Sequence, residues 1–258
     1  MEHIENQITL RGSLCNLPEF SHENHGRRFF RFTLEVPRLS GAVDLLPIVA
    51  EEGILNAMDL SGGEMLAITG QVRTHNVRTD TARHLLIFVF ASNIVCEDGE
   101  PINECIVAGP LCREPTYRRT PLGREICDAM LAVPRAFRRS DYLPCILWGR
   151  TAVEVSACHV RDRIRIFGRL QSRVYTKITD NGPEERTAYE ISALTAEILD
   201  DNTAGIVVYC SINIRHCRGG SSTLPPEIGT ISGFPEGNII IYLLRRCNFA
   251  LQNCREGQ

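Results

Sequence analysis

The chain is poor in lysine, in tryptophan and in long apolar runs, and each shortage narrows what it can be. Lys177 is the only lysine, so almost all of the 28 basic residues are arginines. Arginine stacks on flat rings and grips phosphates with a planar fork, which lysine does not. No stretch of about 18 apolar residues occurs, which excludes a helical membrane span. The opening residues Met1-Glu2-His3-Ile4-Glu5-Asn6 are acidic and have no apolar centre, so no secretory leader is expected. There is no P-loop, and no paired carboxylates stand at a strand end. His159, beside Arg161 and Asp162, reads as a surface or capping residue. No enzyme activity, cofactor or metal is therefore expected. The 11 cysteines are an odd number without a leader, which argues against a disulfide framework. Cys105, Cys127 and Cys145 alternate with aliphatic residues and read as small core hydrophobes in a reducing cytoplasm.

What the chain does have is a repeat. Asn6 recurs as Asn103, Gly12 as Gly109, Leu14-Cys15 as Leu111-Cys112 and Pro18 as Pro115. Gly26-Arg27 recurs as Gly123-Arg124, and Leu34, Val36, Pro37 and Arg38 as Leu131, Val133, Pro134 and Arg135. Asp44, Leu46 and Pro47 recur as Asp141, Leu143 and Pro144. One offset serves all of these, and Gly70 pairs with Gly168 after one inserted residue. The chain thus divides into residues 1–100, residues 101–200 and a tail, 201–258.

Each copy reads as all-β. Phe30, Phe32, Leu34 and Val36 alternate with Phe29, Arg31, Thr33 and Glu35, the period of a half-buried strand. Cys127, Ala129, Leu131 and Val133 hold the same positions in the second copy. Asn24-His25-Gly26 and Pro121-Leu122-Gly123 are turn chemistry. In the second copy a strand is predicted from about Tyr142 to Trp148, then a helix over 151–158. A strand over 164–175, a turn at Asn181-Gly182 and a return strand over 187–199 complete it. Five strands with a short helix after the third is the order of the OB-fold, a Greek-key barrel. Two tandem OB-folds and a tail are expected.

Alternation also sorts side chains by face. Leu143, Cys145 and Leu147 point into the barrel, whereas Tyr142, Pro144, Ile146 and Trp148 point out. On the next strand Ile164, Ile166 and Leu170 share the core side, and Arg165, Phe167, Arg169, Arg173 and Tyr175 share the other. Rings interleaved with arginines suit single-stranded nucleic acid: a ring stacks a base, and a guanidinium meets a phosphate. The net charge of −3 conceals a basic second copy. Residues 113–173 carry 13 arginines against 6 acids, and residues 6–96 carry 8 against 9. Read alone, an arginine-rich strand face is also what a solvated face looks like, and outward rings also suit an oligomer contact.

The second copy resembles the bacterial-type single-stranded DNA-binding proteins. The resemblance runs from Asn103 to Pro115, then through Gly123-Arg124, Leu131-Ala132-Val133, Asp141 to Gly149, and Gly168 to Tyr175. It implies base stacking on Phe137, Tyr142, Trp148 and Tyr175, with Phe167 nearby. From the basic face itself, and not from the resemblance, phosphates are expected near Arg124, Arg135, Arg138, Arg150, Arg169 and Arg173. The resemblance implies non-specific binding and protection of single-stranded DNA in replication, recombination or repair, in the cytoplasm at the nucleoid. It also implies assemblies of four OB-folds, so a chain with two is expected to form a homodimer. Replication or recombination proteins are possible partners.

At the stacking positions the first copy has Ser40, Leu45, Glu51 and Val77. It is expected to keep the fold, lose the stacking and serve assembly, with weak phosphate contacts through His25, Arg27, Arg28 and Arg38. The family's acidic C-terminal tip is not matched by Cys254-Arg255-Glu256-Gly257-Gln258. The tail reads as partly disordered or as a small β-hairpin, and the spacing of Cys210, Cys217, Cys247 and Cys254 is too wide for an ordinary zinc site. The alternative of another class is an OB-fold scaffold in a replication or recombination complex, with weak DNA affinity.

Overall fold

Strands of alternating burial build both halves of the computed structural model, which describes residues 5–56, 58–78, 83–179 and 182–199. The first half runs β1 (Asn6–Leu14), β2 (Glu19–Asn24), β3 (Arg27–Pro37), β4 (Val43–Glu51), α1 (Glu52–Leu55), β5 (Met65–Arg78) and β6 (Arg83–Cys96). The second repeats it as β7 (Ile102–Pro110), β8 (Thr116–Arg119), β9 (Glu125–Arg135), β10 (Arg139–Trp148), α2 (Gly149–Ser156), β11 (Arg163–Thr179) and β12 (Gly182–Leu199). β2 and β8 are short edge strands hairpinned onto β3 and β9. Without them each half has the five expected strands, with the helix after the third. His25 and Gly26 form the two-residue turn between β2 and β3, both at positive φ as such a hairpin demands.

Each half closes on itself. In the first, β1 pairs with both β5 and β3, and β4 lies parallel to β6. In the second, β10 lies parallel to β12, and Leu111 bridges to Leu131. Ile8, Leu10, Leu34, Leu46 and Ile48 fill one barrel, and Leu131, Leu143, Leu147 and Ile164 the other, all fully buried. These are two OB-folds. Cys105, Cys127 and Cys145 are buried core residues, as read from the alternation. Burial pushes the Cys105 thiol up to about 12 and, with the Asp128 charge, Cys127 up to about 11, which keeps both protonated. The tail expected over 201–258, its four cysteines and Asn181 lie outside the described residues.

The repeat has a spatial meaning. β1 and β7 pair antiparallel, and Ile8 lies opposite Cys105, its own counterpart in the repeat. The two barrels are thus related by a local two-fold axis through that pair. The repeated residues serve matched contacts. Asn6 clamps the main chain of Val72 in both directions, and Asn103 does the same to Leu170. Gly70 and Gly168 sit at β-bulges where a Cβ would meet a backbone carbonyl at 2.3 Å, so neither tolerates a side chain.

Asp44 and Asp141 cross-link the halves reciprocally, and both are fully buried. The Ser172 N–H donates to Asp44 Oδ1 at 2.7 Å, and the Thr74 N–H donates to Asp141 Oδ1 at 2.7 Å. The Leu45 N–H donates to Ser172 Oγ and the Tyr142 N–H to Thr74 Oγ1, each at 3.1 Å. Arg38 and Arg135 neutralise the two carboxylates. Each barrel thereby lends a buried acid to the backbone of the other.

Candidate nucleic-acid interface

Five large rings stand outside the core of the second barrel: the four expected to stack bases, and Tyr117 of β8, 41% exposed, whose hydroxyl donates to Glu125. Tyr142 is 44% exposed, Trp148 39%, Tyr175 38% and Phe137 94%. Tyr142 and Trp148 fall on the outward register of β10, six residues apart, about 20 Å along the strand. Tyr175 lies on the protruding hairpin of β11 and β12, opposite Arg186. The Arg173 guanidinium lies 5.7 Å from the Tyr175 ring centre. Phe137 occupies the three-residue loop between β9 and β10, where Phe137 and Arg138 both have positive φ. For bulky residues that backbone costs roughly 1–3 kcal/mol each. The loop holds a phenyl ring in water at that cost, which a merely structural hairpin does not require.

Cross-strand register fixes the neighbours of Trp148. Asp128, Ile146, Ser192 and Arg169 form one row across β9, β10, β12 and β11. The indole Nε1 of Trp148 donates to Ser192 Oγ at 3.3 Å, which orients the ring over that row. Ile146, expected to face outward, does so by register. It is nevertheless only 7% exposed, because it sits in the middle of the row with Trp148 anchored on its neighbour. Arg169 is half-buried, and its Nε has no hydrogen-bond partner.

The other predicted residues are dispersed. Phe167 is half-buried beside Ile106 and Thr195, on the stretch of β11 that pairs with β7, and is not part of the Trp148 row. Arg124 and Arg138 are exposed on loops. Arg150 pairs with Glu154 at 2.7 Å, Arg173 approaches Glu190 at 4.0 Å, and Arg135 holds Asp141. Glu190, which also accepts from Gln171, was not foreseen, because its place depends on which strands become neighbours.

The outer face of the first barrel differs from that of the second. Its stacking positions are indeed empty of rings, with Leu45 exposed and Glu51 paired to Arg27. Its outer face, however, carries a different ring set. The His22 ring stacks on Phe29 at 4.9 Å and 13°, Phe29 meets Phe90 at 5.9 Å, and Arg73 lies 3.9 Å over Phe90. Arg27, Arg28 and Arg38, expected as weak phosphate contacts, are paired with Glu51, Glu52 and Asp44.

Comparison with known proteins agrees with this architecture. The model of the single-strand binding protein family matches residues 102–199, the second barrel. A single-stranded DNA-binding protein of Halalkalibacterium halodurans is 28% identical over 132 residues, 48% of this chain and 75% of the relative. One of Bacillus cereus is 29% identical over 113 residues, 40% of this chain and 64% of the relative. Single-stranded DNA-binding protein B of Bacillus subtilis is 31% identical over 80 residues, 28% of this chain and 71% of the relative. The crystal structure of the wild-type single-stranded DNA binding protein from Thermus aquaticus superposes with a TM-score of 0.64 at 21% identity. It covers 78% of this chain and 96% of that one, a likeness of fold that extends over both barrels. The chain belongs to the single-strand binding protein family.

Proposed function

We propose that the chain binds single-stranded DNA on the outer face of the second barrel, without chemistry and with little sequence preference. The observation that carries this is the set of four rings kept in water outside a filled core, at Phe137, Tyr142, Trp148 and Tyr175. Bases stack on the rings, and any base offers a flat face, so sequence matters little. Phosphates lie near Arg124, Arg138, Arg169 and Arg173, with Arg135 and Arg150 at the margins. The barrel of residues 101–200 is the binding domain, and that of residues 1–100 serves assembly. Two chains present four barrels as a homodimer. Work at exposed single strands in replication, recombination or repair follows from this, and with it an association with the nucleoid.

Fluorescence anisotropy of labelled oligo-dT with the full chain tests the reading. Binding is expected, and log affinity is expected to fall linearly with log salt, by about 0.7 for each phosphate held. Light scattering on the same samples is expected at twice the chain mass of 28.9 kDa. A scaffold without DNA affinity would leave the anisotropy flat.

A further inference from the structure

The local two-fold axis creates two equivalent junctions between the barrels, and their chemistry differs. At one, Arg38 grips Asp44 through both Nε and Nη2, and Gln171 donates to Glu190 at 2.7 Å. That junction is closed: its arginine has an acid to itself, and Glu190 would repel a phosphate. Its outward residue at the Tyr142 position is Leu45, which offers no ring. At the other junction Arg73 stands where Gln171 stands in the repeat. Arg135 holds Asp141 through a single bond of 3.0 Å, and Asp141 Oδ2 has no partner.

Arg73 is the odd cation of the first barrel. Arg11, Arg27, Arg28, Arg31 and Arg38 each have a carboxylate within 4.0 Å; of the arginines in that barrel whose side chains are described, Arg73 alone has none. Its Nε is buried without a hydrogen-bond partner, and its one side-chain bond is to Gln71 at 3.1 Å. Burial, then the like charge of Arg135, pushes its pKa down from the ordinary value, against the weaker pull of Asp141. Arg38, at the equivalent junction, is instead pushed up by its bond to Asp44. Phe90 lies beneath the Arg73 guanidinium and holds it flat. Two open grooves, of about 850 and about 890 Å³, meet along Arg73, Phe90 and Arg135, and the second also reaches Arg139 and His22. Tyr142, whose N–H is held by Thr74, stands at the same junction.

We propose that Arg73 and Arg135 hold a phosphodiester of the bound strand where it crosses from the second barrel to the first, and that the strand crosses at this junction only. The proposal rests on the reading of the chain as a single-strand binder. A planar, ring-backed guanidinium with unspent donors beside a second arginine is a site for a phosphate oxygen pair. From Tyr142 the strand then runs onto the half-buried Phe90 and the exposed His22, two rings that the buried Phe29 supports from beneath. The first barrel thereby contacts DNA through rings other than those its repeat would place there.

The test uses the full chain with labelled oligo-dT of about eight and of roughly 30 nucleotides, short enough for one barrel and long enough for two. Arg73→Gln copies the residue of the equivalent junction, which the fold accommodates. It is expected to lower affinity for the long oligomer about tenfold and to flatten its salt slope by about 0.7, leaving the short oligomer unchanged. Arg73→Lys keeps the charge and is expected to keep the slope. The proposal is overturned if Arg73→Gln leaves the long oligomer's affinity and slope as they were. It is equally overturned if both lengths weaken alike, or if Arg73→Lys loses the slope too. Failure of the underlying reading looks different: the unmodified chain would bind neither length.

Discussion

Replacing Asp141 by alanine is expected to destabilise the folded chain by about 3–5 kcal/mol, the loss seen when one partner of a buried ion pair is removed. Asp141 is fully buried, and its Oδ1 accepts from Arg135 and from both the N–H and the hydroxyl of Thr74. Truncation strands the Arg135 guanidinium and the Thr74 N–H together, and frees the hydroxyl that holds the Tyr142 N–H. Asp141→Asn keeps an acceptor for Thr74 and should lose less. The local two-fold axis gives an internal control: Asp44→Ala breaks the matching link to Ser172 and should cost a similar amount. Denaturant titration checks all three. A loss below about 1 kcal/mol for Asp141→Ala would place the cohesion of the two barrels elsewhere, in the β1–β7 pairing.

The second large effect concerns binding. Trp148→Ala is expected to weaken binding of oligo-dT by about 1–3 kcal/mol, roughly five- to 150-fold. Stability should change little, because the indole is 39% exposed and makes one hydrogen bond, to Ser192. Tyr175→Ala should act in the same direction. The hairpin that carries Tyr175 is well removed from Trp148 along the sheet, so the two losses should add when combined. Glu51→Trp, at the equivalent position of the first barrel, is not expected to restore what Trp148→Ala loses, because Phe29 and His22 already cover the neighbouring surface there.

Much of this could be read from the sequence, for a physical reason. Strand alternation sends Leu143, Cys145 and Leu147 inward and Tyr142 and Trp148 outward without knowledge of any neighbour, and the burial follows that pattern. The repeat marked Asn6, Arg38, Asp44 and Gly70 with their counterparts, and these proved to be clamps, junction pairs and bulge glycines. Properties that depend on strand neighbours were not legible. Glu190 meets Gln171 only because β11 and β12 pair in that register. Arg73 lacks an acid only because Asp141, which reaches across the junction to Thr74, is held by Arg135 of its own barrel. Ile146 is covered by a row assembled from four strands. The left-handed backbone at Phe137 leaves no trace in the sequence, since neither Phe137 nor Arg138 is a residue that favours it. The first barrel's ring stack was hidden for the same reason: Phe29 and Phe90 come from strands far apart in the chain.

Trp148 is the chain's one tryptophan, so its emission reports a single point of the proposed path. Titration of the unmodified chain with oligo-dT at low salt should quench that emission strongly and saturably, and added salt should reverse the quench. Emission that stays constant while the oligomer demonstrably binds would mean that bases do not stack on the face bearing Trp148, and that the strand does not follow the outer face of the second barrel.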